Sequence, residues 1–242
     1  MKITNHVTPE LLARLKSIND ECKAMHLPPP PVAFIDLEVK DKDGKLIEKY
    51  TSNSNSWVRN AHNYLVGTFL ALSQATGLAS FGAGSLKVRN IAGTTLGSAN
   101  YVLNISRATI PVFVAEASST GAFGIRVGRG TTAESFEHHA LSIPITSGTG
   151  TNQLVYSAMA IPVGTYDAGT KTWTAVMTRI FNNNSTADIN VTEVCLDEIL
   201  HYTSTSTIST FMLMRDLLSN YITVPVGAQL TVNITTTYVM PA

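Results

Sequence analysis

Gln229-Leu-Thr-Val-Asn-Ile-Thr-Thr-Thr-Tyr238 decides how this chain is read. Leu230, Val232, Ile234, Thr236 and Tyr238 fall on one face; Thr231, Asn233, Thr235 and Thr237 fall on the other. Successive side chains of an extended strand point to opposite faces, so this alternation describes a half-buried antiparallel strand. Leu230, Val232, Ile234 and Tyr238 are expected to fill a core, and Thr231, Asn233 and Thr235 to meet water or a neighbouring subunit.

Upstream, from residue 124 onward, similar Thr-rich strand signals recur about every ten to twenty residues. Turn clusters separate them at Ser147-Gly-Thr-Gly150, Asp167-Ala-Gly169, Asn182-Asn-Asn-Ser-Thr186 and Val226-Gly-Ala228. Without intervening helical patterns, that cadence predicts an antiparallel β-sandwich, jelly-roll-like, and not a parallel α/β sheet. Residues 211–219 read equally as a strand ending at Arg215-Asp216 or as a short helix. Nearer the front, residues 32–40 and 45–50 flank the turn Asp41-Lys-Asp-Gly44 and predict a hairpin. The turn lacks the further acids of a calcium loop. A helix is predicted over about 56–74, packed on or beside the sheet. Trp57, Ala61, Tyr64, Leu65, Thr68 and Leu72 would share its buried face, with Arg59, Asn60 and Asn63 turned away. Residues 76–100 read as loops and short strands, and 101–114 as one or two strands.

Thr8-Pro9-Glu10 is a helix start, followed by an apolar stripe of Leu11, Leu15, Ile18 and Cys22. Pro28-Pro-Pro-Pro31 ends that helix in an extended spacer. Residues 1–31 therefore form a helical arm and spacer ahead of a body at 32–242. The arm either stands off the body or packs back onto it.

The 242 residues carry no net formal charge, which argues against nucleic-acid binding by bulk electrostatics. Only 14% are charged, against about 25% in ordinary soluble domains, which suits a surface largely covered by neighbours. Cys22 and Cys195 lack metal-ligand or CxxC spacing and read as free thiols of a reducing cytoplasm. No secretory h-region and no run approaching about 20 apolar residues is visible, so no membrane partner is expected.

A catalytic set is not legible. No Gly-x-Ser-x-Gly elbow occurs, and Asp197-Glu198 are adjacent, so they would point to opposite faces of a strand and read as a solvated edge. Glu134-Ser-Phe-Glu137-His138-His139 is the densest titratable cluster, but no third and fourth metal ligand stands at familiar spacing, and a polar loop or interface is the better reading. Gly121-Ala-Phe-Gly124-Ile-Arg-Val-Gly128-Arg-Gly130 lacks the order of a phosphate loop. Its glycines would turn a strand sharply and leave Arg126 and Arg129 free for a neighbouring chain. No cofactor is expected.

Three pieces of the back half resemble a recurring type of tailed-bacteriophage virion protein. They are Gly124-Ile-Arg-Val-Gly128 with Leu141-Ser-Ile-Pro-Ile145 and Gly148-Thr-Gly150; residues 178–194, from Thr-Arg-Ile-Phe to Val-Thr-Glu-Val; and Phe211-Met-Leu-Met-Arg215-Asp216 with 224–233. Ser56-Trp-Val-Arg-Asn60 is similar to a segment that precedes this domain in such proteins, while Cys195-Leu-Asp-Glu198 departs from the glycine-aromatic pattern expected there. The resemblance implies a non-enzymatic structural component of a tailed phage particle, assembled in the host bacterial cytoplasm. It would act in the neck or collar, in the tail or on the capsid surface. Its partners would be copies of itself and capsid, portal, neck or tail proteins, with no nucleic acid. Leu11, Leu15, Ile18, Arg126, Arg129, Thr231, Asn233 and Thr235 are the candidate interface residues. The alternative is a receptor- or carbohydrate-binding fibre module, with Tyr166 and Tyr202 near turns as stacking residues.

Overall fold

A computed structural model describes residue 20 and residues 32–54, 56–63, 89–94, 121, 123–159, 163–201 and 208–239. In chain order the strands are β1 (Val32–Lys40), β2 (Leu46–Ser54), β3 (Gly124–Gly128), β4 (Val155–Tyr156), β5 (Val163–Asp167), β6 (Thr172–Asn182), β7 (Ile189–His201), β8 (Ile208–Val224) and β9 (Gln229–Val239). They form a six-stranded sheet ordered β2-β1-β9-β6-β4, with β5 also on β6, and a three-stranded sheet ordered β3-β7-β8. Every named strand pair is antiparallel. The mainly β, antiparallel class expected from the alternation is therefore present. The arm at 1–31, apart from Asp20, lies outside the described residues, as does the strand region expected at 101–114.

One hydrophobic core joins the two sheets. Ile35, Leu37 and Val39 of β1, Leu230, Val232 and Ile234 of β9, and Met177 and Phe181 of β6 come from one side. Ile125 and Val127 of β3, Val191, Val194 and Leu196 of β7, and Phe211 and Met214 of β8 come from the other. Burying each such side chain contributes about 1.5–3 kcal/mol. β9 sits between β1 and β6, and its alternation is visible in the burial: 230, 232, 234 and 236 are buried while 231, 233 and 235 are half-buried. The core face differs from expectation at its end, where Thr236 is buried and Tyr238 only half-buried beside Trp173, its register partner on β6.

The expected hairpin at the front forms as β1–β2. Asp41 Oδ1 accepts from the amides of Asp43 and Lys45, each at 2.9 Å, and so caps the turn between them. The four predicted back-half turns all fall between strands. Two of them build one corner. The β7–β8 pair belongs to one sheet and the β6–β9 pair to the other, so the two arms of a single long ribbon change sheets together at 183–188 and 225–228. Asn183, fully buried, fastens this corner. Its amide nitrogen donates to the carbonyls of Val224 (2.8 Å) and Ala187 (2.9 Å), and its side-chain oxygen accepts from Ser185 Oγ (2.7 Å). Its backbone exchanges bonds with Ala228 and Gly227.

Residues 211–219 belong wholly to β8, with Arg215-Asp216 in the strand interior and not at its end. The outer edge of β8 is covered group by group. Val58 N–H donates to Leu213 O, and Arg215 N–H to Ser56 O. The amides of Leu217, Ser219 and Thr223 donate to Glu134, Tyr50 and Glu48 side chains. On the opposite edge of the sheet, Ile145 N–H meets Val127 O and Arg129 N–H meets Ile143 O. Open edges template pairing with other chains, and this sheet leaves little of its two edges bare.

Of the helix expected at about 56–74, residues 59–63 are helical and 64–74 lie outside the described residues. Here the predicted orientation needs correction. Asn60 and Asn63 are buried, and Trp57 is half-buried against the core, bridged to Met214. Asn60 is turned inward because its amide pairs with the backbone of residue 89 in both directions, Nδ2 to O and N–H to Oδ1, each 2.8 Å.

Candidate functional site

The densest polar constellation lies on the outer face of the three-stranded sheet. There a small second cluster of Val58, Leu141, Cys195 and Met212 is covered by the segments at 56–63 and 129–143. Glu193 of β7 and Arg215 of β8 stand in this layer with wholly buried side chains, Nε to Oε2 at 2.7 Å. Glu193 Oε1 accepts from the amides of Gly130 and Ile143, both at 2.9 Å, and Oε2 from Ser142 at 3.1 Å. One carboxylate thus gathers both ends of the loop 131–141. Burial pushes the Glu193 carboxyl up, but the amides of Ile143 and Ser142, Arg215 and the Gly130 amide together hold it below its ordinary value.

The glycines expected to bend a strand make this closure possible. A Cβ on Gly128 or Gly130 would run into the Glu193 carboxylate and the backbone of residue 143. Arg215 carries the tie outward: its guanidinium donates to Thr132 O at 2.9 Å and meets His138 Nδ1 at 3.1 Å. The same His138 nitrogen accepts from Ser135 N–H at 3.2 Å. Glu134 takes the Leu217 amide at 2.6 Å. Glu137 pairs with Arg59, whose guanidinium lies over the Phe136 ring at 5.4 Å. The cluster at 134–139 is therefore a polar loop, as expected, with its charges consumed in holding that loop to the sheet.

Two expectations are corrected in this layer. Asp197 and Glu198 are not a solvated edge: both are buried, because β7 is the middle strand with its two faces covered. Arg126 is not free for a neighbouring chain. It reaches back to Asp197, Nη1 to Oδ2 at 2.7 Å, because β3 lies directly beside that carboxylate on β7. Burial pushes the Asp197 carboxyl up, and Arg126 draws it only part of the way back. Burial likewise pushes the Cys195 thiol well up, beside Asp197. Arg129 remains exposed.

Another buried charge ties the sheets together. Arg179 of β6 lies on the core face and donates to the carbonyls of Ser157 (3.0 Å), Phe123 (2.7 Å) and Ile125 (3.2 Å). Its guanidinium rests over the Tyr156 ring at 4.8 Å. Burial pushes the Tyr156 phenol up to about 12, and the hydroxyl donates to Ile145 O.

Sequence reasoning missed Glu193, Arg215 and Arg179. The signal for Arg179 was available: it shares parity with Met177 and Phe181, so the alternation that buries them buries it. Of the residues singled out, Thr231, Asn233 and Thr235 sit together on the outer face of the six-stranded sheet. Asn233 there accepts from Thr178 Oγ at 2.6 Å. Tyr166 is 53% exposed on β5, opposite Trp173. Tyr202, Leu11, Leu15 and Ile18 lie outside the described residues. Among the described residues no group of three or more His, Cys, Asp or Glu is placed to hold a metal ion. The chain matches no family model, no curated protein and no solved structure.

Proposed function

We propose that this chain is a non-enzymatic structural component of a tailed phage particle, working as a symmetric oligomer in the neck or collar, in the tail or on the capsid surface. The observation that carries the reading is the outer face of the six-stranded sheet. Register aligns Phe34, Thr235 and Val176 in one row, Asp36, Asn233 and Thr178 in the next, and Glu38, Thr231 and Ile180 in a third. All nine are half-buried. Its two acids are bonded within the chain, Asp36 to Thr51 (2.7 Å) and Glu38 to Lys49 (3.0 Å), which leaves a broad polar surface. Repetition around a symmetry axis makes such a weak polar contact sufficient, because each bond raises the effective concentration for the next. The resemblance of the back half to virion proteins supplies the setting. The jelly-roll-like body, the arm at 1–31 with Leu11, Leu15 and Ile18, partners among capsid, portal, neck or tail proteins, and residence in the virion belong to the same proposal.

Thr231→Lys with Thr235→Lys tests it. The double variant is expected to keep its fold, to fall from oligomer to monomer in light scattering, and to be missing from particles assayed by mass spectrometry. Normal incorporation of the double variant would overturn the assignment of this face.

A second reading is a glycan-binding module. It is favoured by the exposure of Tyr166 alone, and binding on a glycan array that disappears in Tyr166→Ala is its expected signature.

A further inference from the structure

The loop 131–141 is held at its neck and at its crown by different groups. Glu193 closes the neck through Gly130, Ser142 and Ile143. The crown is fastened by Arg215 to Thr132 O and to His138, by Glu134 to the Leu217 amide, by Glu137 to Arg59, and at Phe136, whose carbonyl accepts the Arg59 amide and whose ring packs on His62. Of the side chains that hydrogen-bond or ion-pair to hold the crown, only His138 has an ordinary value close to neutrality, and His62 touches the crown by ring contact alone. Its Nδ1 faces two N–H groups, Ser135 at 3.2 Å and Arg215 at 3.1 Å, so that nitrogen must present a lone pair and the ring proton resides on Nε2. A proton added to Nδ1 removes the acceptor from both donors and sets a cation against the Arg215 guanidinium.

The charged and titratable groups acting on the ring are Arg215 from β8, Glu193 from β7, and Glu134 and His139 from the loop itself; the helical turn packed on the crown adds Arg59, paired with Glu137, and His62 on Phe136, and Arg89 lies beside His139. The acids are already engaged: Glu193 by Arg215 and three amides, Glu134 by Leu217, and Glu137 by Arg59.

We propose that 131–141 is an acid-released strap: protonation of His138 frees the crown from the three-stranded sheet while Glu193 keeps the neck closed. Release uncaps the Leu217 amide on the edge of β8 and uncovers Arg215. Burial first, and Arg215 next, hold His138 below its ordinary 6.5. The free chain therefore takes up the proton before the strapped one does. The strap's hold is complete above about pH 6.5 and weakens as pH falls through the lower folded value. Glu193 keeps its charge through that window, because its carboxyl is held below the ordinary range.

Hydrogen exchange on the full chain, expressed as protection factors at about pH 7.5 and about pH 5, reads the device directly. Amides of 131–141 are expected to lose protection about tenfold or more at the acid value, with Gly130, Ser142, Ile143 and the β7 amides unchanged. In His138→Asn the amide oxygen takes the place of Nδ1 and cannot be protonated, so the crown should stay protected at both values. His139→Asn and His62→Asn should each behave as the unaltered chain does. Equal crown protection at the two pH values in the unaltered chain would overturn the proposal. So would an acid loss that persists in His138→Asn, or neck amides that open together with the crown.

Discussion

The outer face of the six-stranded sheet and the three-stranded sheet treat charge in opposite ways. The outer face of the wide sheet keeps Asp36 and Glu38 only part-buried and bonds them to Thr51 and Lys49. The narrow sheet buries Glu193, Asp197, Glu198, Arg215 and Asp216. The covering layer explains the difference. The wide sheet's outer face has no loop of its own chain among the described residues to satisfy. The narrow sheet is roofed by the irregular segment at 129–143, whose amides cannot pair with one another as strands do. A buried amide without a partner is costly, and Glu193 answers three of them at once. Glu193 is buried here because irregular backbone is buried here.

Removing that answer is the strongest way to test the contrast. Glu193→Ala leaves Arg215 charged in a dry site and three loop amides unpaired. A loss of about 3–5 kcal/mol is expected from urea unfolding. Glu38→Ala, its counterpart on the wide sheet, removes a part-buried carboxylate whose partners Lys40 and Lys49 still reach water, and should cost about 1 kcal/mol. Comparable losses for the two would break the distinction between the sheets.

The corner between the sheets belongs to both. Asn183→Ala deletes its buried side-chain bonds to Val224, Ala187 and Ser185, and a loss of about 2 kcal/mol follows. Asn183→Asp sets a carboxylate oxygen against the Val224 and Ala187 carbonyls in a fully buried site, so it should lose at least as much as Asn183→Ala in the same unfolding assay.

Acid sharpens the comparison within the narrow sheet, where two carboxylates have opposite signs. Glu193 lies below its ordinary 4.5, so its contribution is present above that value and is lost as pH falls through the folded one. Asp197 lies above its ordinary 3.8 because of burial, so its contribution is present at low pH and is lost as pH rises through the folded value. The stability gap between the unaltered chain and Glu193→Gln should therefore widen from acid to neutral pH. The gap for Asp197→Asn should change in the opposite sense.

The wide sheet was legible because one face is core and the other is not, a difference that period-two alternation writes into β1, β6 and β9. The front hairpin was legible from Asp41-Lys-Asp-Gly44, whose chemistry is local. The narrow sheet was harder. From 193 to 198 every residue of β7 is buried, so alternation carries no information there and Asp197-Glu198 looked like an edge. What buries them is a loop more than fifty residues away in sequence, and no local pattern marks that contact. Gly128-Arg-Gly130 did leave a trace of it: glycines are needed where the loop backbone approaches the carboxylate, although the sequence does not say which carboxylate.

The smallest expected effect on stability bears most directly on function. Thr235→Lys on the wide sheet adds a charge at a half-buried position between Phe34 and Val176, without removing a core contact. Monomer stability should move by no more than about 0.5 kcal/mol, because long side chains at such positions extend into water. A neighbouring copy packed on this face would instead have to bury or displace the ammonium, and symmetry repeats that penalty at every contact in a ring. Unfolding curves that superimpose, with an oligomer that nonetheless falls apart in light scattering, would separate the face used for assembly from the sheet used for folding. A Thr235→Lys variant that loses stability as heavily as Glu193→Ala would mean that the two faces share one role.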